Sequence, residues 1–255
     1  MLDLRIISKK GSNAASEIAN GAGIPKYRGN KYHKVQGIVN YGLAGARFTQ
    51  FLQVYKSARD LPILNRNIGM SKYSALTRVS KGGILIPDSS LTLPVKGKKG
   101  QDKWLVKKMQ SIGGKGIKFA DSSVRQPDRY FQKYIENRRY ELRVHIFKWS
   151  DEAKVQKRLG DKDTIAWNFS SGGHFQTVHN TGAKIFQDAI KISKEVLDIM
   201  GMSFGAVDFV VDDAGKIYFL EINSAPGFTE LSKGIYLNAF ARLKEMSYKE
   251  FGKLC

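Results

Sequence analysis

Two short apolar runs separated by a polar turn form the clearest pattern of hydrophobic and polar positions in the chain. Residues 207–211 and 217–222 flank Asp-Asp-Ala-Gly, a sequence typical of a β-hairpin. A two-residue turn at Ala214-Gly215 places Asp208 opposite Glu221 when the pairs are counted outward from the turn. The pattern therefore predicts a hairpin with an acidic pair facing across its two strands.

Side chains alternate along a strand, so the hairpin has one polar and one apolar face. Asp208, Glu221 and Asn223 are predicted to share the polar face, whereas Leu220 and Ile222 point into a core. Carboxylate and amide oxygens on rigid strands suit Mg²⁺, which completes its coordination with phosphates and water. A surface hairpin with a polar outer face explains the same alternation, and the hairpin alone leaves both interpretations open.

The rest of the chain alternates between strand-like and helix-like periodicity. The predicted strands cover residues 4–8, 37–40, 104–109, 130–135, 140–147 and 154–158, and the predicted helices cover 14–20, 72–80, 183–200 and 236–243. Ser71 is a suitable N-cap for the second helix, and Gly201 ends the third. The strand–helix–strand order near the N-terminus indicates a small parallel α/β unit.

A lysine-bearing strand runs into a glycine-rich loop at residues 106–117, VKKMQSIGGKGI. Glycines allow backbone N–H groups to approach phosphate oxygens, and Ser111 and Lys115 add donors. The spacing differs from GxxxxGK[ST], which excludes a P-loop, and Gly42-x-x-Gly45 does not have the dinucleotide-binding spacing. A glycine-rich hairpin turn is the simpler alternative.

A second polar face lies on the predicted strand at 140–147. Glu141, Arg143 and His145 alternate with apolar residues, so an acid and an arginine share one face. This pair could bind a ribose and a phosphate, or form an ordinary surface ion pair. His174 and His179 lack the helical spacing of a zinc motif.

Composition adds a strong positive charge to this picture. The 255 residues include 42 Lys+Arg and 23 Asp+Glu, a formal net charge of +19, and such a field attracts polyanions. Cys255 is the single cysteine, which excludes a disulfide or a cysteine zinc site within one chain. No signal-peptide pattern and no apolar run of about 20 residues is present, so a soluble cytoplasmic protein without a membrane partner is expected.

The order of these motifs resembles the ATP-grasp superfamily. It is closest to the amino-acid ligase group that includes the glutamate ligases of ribosomal protein S6, and more distantly similar to D-alanine–D-alanine ligase. The segments that carry the resemblance are VKKMQSIGGKGI, FQKYI, ELRVHIF, residues 158–168 and AVDFVV…FLEINSAPG. The resemblance implies an α/β (α+β) fold in which two α+β subdomains, residues 66–132 and 133–255, grip ATP after a Rossmann-like α/β domain at 1–65.

The resemblance also implies which residues bind the nucleotide. Lys107 matches the lysine that contacts ATP near the α-phosphate, and Glu141 matches a ribose-binding acid. Lys133 and Tyr134 occupy the segment whose backbone binds adenine. The phosphate flap corresponds to Ser111, Gly113, Gly114 and Gly116.

The remaining implied roles concern the chemistry. Arg143 and Arg158 match arginines that stabilise the transferring phosphoryl group, and the metal ligands correspond to Asp208, Glu221 and Asn223, which would hold Mg²⁺ or Mn²⁺. The turn at 224–227 resembles part of the acceptor site.

The implied activity is that of an ATP-dependent carboxylate–amine ligase, which forms an amide through an acyl phosphate. Its substrates would be ATP, an amino-acid or peptide-like carboxylate, and an amine that an acidic protein or a nucleic acid could carry. Two alternatives stay open at this point: a kinase of the same fold that phosphorylates a hydroxyl group, and a basic nucleic-acid-binding module without catalytic activity.

Overall fold

A computed structural model of the chain describes residues 1–28, 35–94, 103–110, 116–120, 127–161, 164–165, 167, 173–178 and 181–255. The strands are β1 Leu4–Ser8, β2 Gly37–Tyr41, β3 Ile63–Leu64, β4 Ser89–Ser90, β5 Trp104–Lys108, β6 Lys118–Phe119, β7 Arg129–Lys133, β8 Arg138–Phe147, β9 Ser150–Leu159, β10 His174–Thr177, β11 Phe204–Asp212 and β12 Ile217–Asn223. The helices are α1 Asn13–Gly21, α2 Ala46–Val54, α3 Lys72–Lys81, α4 Lys184–Met200, α5 Glu230–Leu243 and α6 Tyr248–Lys253, with a 3₁₀ turn at Lys56–Ala58.

The N-terminal unit is a parallel sheet in the order β1-β2-β3. Two buried asparagines connect its strand ends to the rest of the protein. The Asn40 amide donates to the Asn65 carbonyl at 3.0 Å, and the Asn65 amide donates to the Phe204 carbonyl on β11 at 3.0 Å. Asn65 has a φ of 55°, in the left-handed region that asparagine tolerates better than most residues.

The largest sheet is antiparallel, in the order β10-β9-β8-β11-β12. One face packs against α3 and α4 through Leu142, Val144, Val196 and Leu197, all buried. The opposite face, near the ends of β8 and β11, packs against α5 and the N-terminal sheet through aromatic residues. Every residue of β11 is buried, because this strand is covered on both faces.

A four-stranded antiparallel sheet, in the order β4-β7-β5-β6, carries the lysine strand β5. Its Lys107 pairs in register with Tyr130 on β7. The two domain boundaries expected from the sequence stay predictions. The aromatic core joins the N-terminal sheet to α5 and α6.

The hairpin has the predicted pair but a different turn. Asp208 lies opposite Glu221, as expected. The turn is longer, however, because the Asp212 N–H bonds the Lys216 carbonyl and Val211 pairs with Ile217, so the expected Ala214-Gly215 turn is wrong. A bulge between Asp208 and Phe209 restores the register, and the bulge absorbs one residue of β12.

The bulge also changes which β12 side chain enters the core. Phe219 is fully buried, whereas Leu220 is half-buried. Ile222 is half-buried and packs against the core, as expected.

The predicted helix ends agree with the structure where the sequence contains a capping residue. The Ser71 hydroxyl accepts from the Ser74 N–H at 3.1 Å at the start of α3, and Gly201 ends α4 in the left-handed conformation. α5 begins at Glu230, before the predicted residue 236, because Thr229 and Ser232 form a capping box. None of the helices in the described residues has the length and apolar character needed to cross a bilayer.

Candidate active site

Asp208 and Arg143 form a bidentate ion pair on neighbouring strands. Arg143 Nε and Nη2 donate to the two Asp208 carboxylate oxygens, each at 2.7 Å. Burial alone raises the pKa of Asp208, but the pairing with Arg143 outweighs it and holds that pKa below its ordinary value. Asp208 is therefore a carboxylate at neutral pH, and both of its oxygens are engaged.

Arg158 and Glu141 form a second pair on the same face. Arg158 Nη1 donates to Glu141 Oε2 at 2.7 Å, and Arg158 Nη2 lies 3.8 Å from Asp208 Oδ2. Burial raises the pKa of Glu141, and Arg158 opposes that rise. Arg158 Nε is buried and has no hydrogen-bond partner among the described residues. A buried donor without an acceptor costs free energy, so a hydrogen bond from this nitrogen to a bound anion would be favourable.

Glu221 and Asn223 lie beside this network at the end of β12. Asn223 Nδ2 is 3.4 Å from Glu221 Oε1, and Lys72 Nζ lies 2.6 Å from Glu221 Oε2. No cluster of three His, Cys, Asp or Glu side chains suited to a metal occurs among the described residues. The carboxylate and amide oxygens of Glu221 and Asn223 still fit a magnesium ion, whereas Asp208 would first have to leave Arg143.

Lys107 reaches this face from the four-stranded sheet. Its Nζ donates to the buried Gln132 at 2.8 Å. Burial and the neighbouring Lys72 lower its pKa to about 8, while Glu221 and Glu141 oppose that change. The hydroxyl of Tyr130 is buried and has no partner among the described residues.

The predicted adenine segment is already hydrogen-bonded through its backbone. The N–H of Lys133 donates to the Asp88 carbonyl and that of Tyr134 to the Lys103 carbonyl, each at 2.8 Å. Any contact with a base would therefore use other atoms of this segment. Three residues of the predicted flap, Ser111, Gly113 and Gly114, lie outside the described residues. Gly116 is described and has a φ of 79°.

A cavity of about 1180 Å³ opens beside Glu221 and Asn223. Its walls come from the end of β1, the start of α2, α3, the end of β5 and the end of β12. The predicted acceptor turn borders it through Ser224. The cavity therefore lies between the end of β12, which carries Glu221 and Asn223, and the N-terminal unit.

Buried side chains hold the segment that follows Asn223. Tyr41 donates to the Pro226 carbonyl at 2.6 Å, and Gly42, with φ of 86°, lies against Ala225 so closely that an added Cβ would be 2.4 Å from the Ala225 Cβ. Farther along, Gln156 donates to the Thr229 hydroxyl at 3.2 Å.

Gln156 is itself part of a buried chain through His145. His145 bonds the Tyr236 hydroxyl at 2.8 Å through Nδ1 and Gln156 at 3.0 Å through Nε2. Burial lowers the pKa of His145 to about 4, so the ring is neutral at pH 7. His145 is a structural link on the polar face of β8.

Replacing Tyr41 by Phe should lower the free energy of unfolding by about 1–3 kcal/mol, because the buried Pro226 carbonyl loses its donor. Urea denaturation measures this change. Tyr248→Phe is the matched control, since the Tyr248 side chain is 51% exposed. Equal stability of the two variants would contradict the anchoring role of Tyr41.

Some residues of this site were missed by sequence reasoning. Lys72 lies in the predicted helix at 72–80 without an assigned role, and Gln132 lies in the predicted strand at 130–135. Alternation along 130–135 puts Gln132 on the face opposite Phe131, which could have suggested it. Lys9 and Arg47 line the cavity from the N-terminal unit, and no motif marks them.

The fold is that of ATP-grasp ligase structures. The D-alanine–D-alanine ligase of Bacillus anthracis has a similar structure, with a TM-score of 0.63, 15% identity, and coverage of 99% of both chains. The macrocyclase MdnC of Microcystis aeruginosa MRC, bound with precursor peptide MdnA, gives a TM-score of 0.58, 16% identity, and coverage of 95% of this chain and 98% of MdnC. These likenesses confirm the expected α/β fold.

Sequence comparison places part of the chain in the same group. Residues 174–251 match the family model described as D-ala D-ala ligase C-terminus. The D-alanine–D-alanine ligase of Burkholderia cenocepacia (strain HI2424) is 44% identical over 43 residues, which are 16% of this chain and 14% of that ligase. The match thus covers a small part of this curated relative's length. Residues 174–251 therefore resemble the C-terminal part of D-alanine–D-alanine ligases, and the whole chain has the fold of ATP-grasp ligase structures, as its motifs predicted.

Proposed function

We propose that the protein is an ATP-dependent carboxylate–amine ligase that forms an amide through an acyl phosphate. The observation that carries the proposal is the convergence of four cationic side chains on one acidic sheet face. Arg143 and Arg158 lie on that face, while Lys107 and Lys72 reach it from other elements. A transfer between an anionic carboxylate and an anionic phosphate needs this concentration of positive charge.

The reaction proceeds in two steps. A carboxylate oxygen of the substrate attacks the γ-phosphorus of ATP, the bond to the β-phosphate bridging oxygen breaks, and ADP leaves. An amine nitrogen then attacks the acyl carbon, phosphate departs with the former carboxylate oxygen, and the nitrogen loses a proton. Arg158, whose buried Nε has no hydrogen-bond partner among the described residues, would contact the transferring phosphoryl group.

Glu221 and Asn223 would hold a divalent cation, Mg²⁺ or Mn²⁺, whose chemistry is to neutralise charge on the β- and γ-phosphates. Asp208 is the third predicted ligand, and its pair with Arg143 opens if it joins them. Arg143 is then free to bind a phosphate oxygen. The roles of the other predicted residues, including Glu141 at the ribose and Lys133-Tyr134 at adenine, remain proposals.

The relatives support an amino-acid or peptide carboxylate as the substrate. One similar structure is a D-alanine–D-alanine ligase and another is bound with a precursor peptide. An amine carried by an acidic protein or a nucleic acid stays a prediction based on the +19 charge.

Mass spectrometry of the products tests this function. The chain is incubated with ATP, Mg²⁺ and a panel of amino acids, with and without a host extract as acceptor. The expected products are ADP, inorganic phosphate and an amide that forms only when ATP is present. A phosphorylated acceptor without free phosphate would instead identify a kinase.

Lys107 gives a pH dependence that can be checked separately. Its pKa of about 8 means that the amine loses its charge above that pH. The kcat/KM for ATP should therefore fall about tenfold per pH unit above pH 8. Lys107→Arg, which stays charged, should flatten this fall; an unchanged fall in that variant would show that another group titrates.

A further inference from the structure

The cavity beside Glu221 has a basic wall that no nucleotide-binding motif uses. Lys9 directly follows β1 and Arg47 lies in the first turn of α2, so both come from the N-terminal unit. Both residues are exposed, and neither forms an ion pair within the described part of the chain. These two cations are therefore available to a ligand.

The charge of the cavity wall is strongly unbalanced. Its basic residues are Lys9, Arg47, Lys72 and Lys108, and Glu221 is the only acid among the described lining residues. Lys72 already pairs with Glu221 at 2.6 Å. The charges of Lys9 and Arg47 are therefore left without compensation, and a cleft with charges of one sign concentrates ligands of the opposite sign.

The N-terminus of α2 adds partial positive charge to the same wall of the cavity. Gly45, Ala46 and Arg47 line the cavity, and no side chain caps the helix. The first N–H groups of a helix lack partners within the helix and carry partial positive charge. They add to the two side chains on the same wall.

The cavity also has apolar lining residues. Ile68, Met70, Met109, Met200 and Met202 contribute apolar surface to the cavity. The volume of about 1180 Å³ exceeds the range of about 300–1,000 Å³ of ordinary small-ligand sites. A ligand that fills this cavity therefore contacts apolar side chains as well as charged ones.

We propose that the substrate in this cavity carries a second anionic group, besides the reacting carboxylate, and that Lys9 and Arg47 bind it. These two residues then determine specificity, and substrates with an amide or a hydroxyl in place of the second anion are rejected. The inference rests on the proposed function for its reacting carboxylate. A carboxylate and a phosphate would both satisfy the two cations, and the experiment below separates them.

The test compares matched substrate pairs. ATP-dependent ADP release is measured with glutamate against glutamine and with O-phosphoserine against serine. At least one acidic member should have a kcat/KM about tenfold above its neutral partner, since a charged pair strengthens a hydrogen bond. The pair that shows the preference identifies the anion. Equal use of acidic and neutral members would overturn the inference while leaving the ligase function intact.

Charge-reversal variants test whether Lys9 and Arg47 cause the preference for acidic substrates. The double variant Lys9→Glu/Arg47→Glu should lose the tenfold preference, whereas Lys10→Glu should keep it. Lys10 is the matched control because it is exposed and adjacent but does not line the cavity. A preference that survives in the double variant would contradict the assignment. Unchanged thermal midpoints establish that the variants fold.

Binding by calorimetry gives a result that does not require turnover. Glutamate and O-phosphoserine are titrated into the full chain at low salt. About tenfold weaker binding of either acid to the double variant than to Lys10→Glu supports the inference, even when no amide forms and the ligase proposal fails. Binding that is absent from the wild type, or equal in both variants, overturns the inference.

Discussion

Glu221→Gln should reduce ATP-dependent amide formation by about 10³-fold, equivalent to about 4 kcal/mol of transition-state stabilisation. Glu221 is the only carboxylate on the described wall of the cavity, and it lies beside Asn223 and opposite Lys72. Glutamine keeps the size of the side chain but removes the charge that a divalent cation needs. Initial rates of ADP and amide release measure the effect.

Glu195→Gln is the matched control for this change. Glu195 is an exposed residue of α4, so the same substitution there should leave the rate within about twofold of the wild type. Near-wild-type turnover of Glu221→Gln would show that the hairpin does not hold the metal. A raised requirement for Mg²⁺ in the variant would support the assignment further.

Arg143→Met should lower the free energy of unfolding by about 3–5 kcal/mol at pH 7. The substitution leaves Asp208, whose side chain is 5% exposed, as a buried carboxylate without its bidentate partner. Asp208→Asn in the same chain should recover most of the loss, because the uncompensated charge is removed. Chemical denaturation of the two variants and the wild type measures both effects.

The pH dependence of this loss has a defined sign. Arg143 holds the pKa of Asp208 below its ordinary value, so the pair stabilises the fold above the unfolded pKa of about 3.9 and loses that contribution as the pH falls. In Arg143→Met, burial acts without this opposing partner and raises the pKa of Asp208, so the folded variant takes up a proton at a higher pH than the wild type. The difference between Arg143→Met and the wild type should therefore shrink from pH 7 towards pH 4. Arg242→Met is the control, since its pair with Glu152 is exposed and should contribute less than about 1 kcal/mol. A constant difference across this range would contradict the role of Asp208.

The polar faces of the strands could be predicted from local alternation. Glu141 and Arg143 share a face because side chains alternate along β8. Asp208 joins them because it pairs with Arg143 on the neighbouring strand β11. The pairing of Asp208 with Glu221 was predicted correctly from an incorrect turn. A longer turn and a bulge shift the register in opposite directions, and neither is visible in an apolar–polar pattern.

The cavity could not be predicted in the same way. It forms where β1, α2 and β12 meet, and these elements are distant in sequence. Lys9 and Arg47 lie in no motif, so only tertiary packing brings them to one wall. The helix α2 was not predicted either, although Phe48, Phe51 and Leu52 recur at helical spacing and pack against the small core of the N-terminal unit.

Transfer of ¹⁸O from the substrate to phosphate tests the acyl-phosphate mechanism most directly. The substrate carboxylate is labelled with ¹⁸O, and the inorganic phosphate released in the presence of ATP, Mg²⁺ and the amine is examined by mass spectrometry. An acyl phosphate requires one ¹⁸O in each phosphate formed together with amide, because the attacking carboxylate oxygen leaves with the phosphoryl group. Amide formed with unlabelled phosphate would contradict the proposed mechanism.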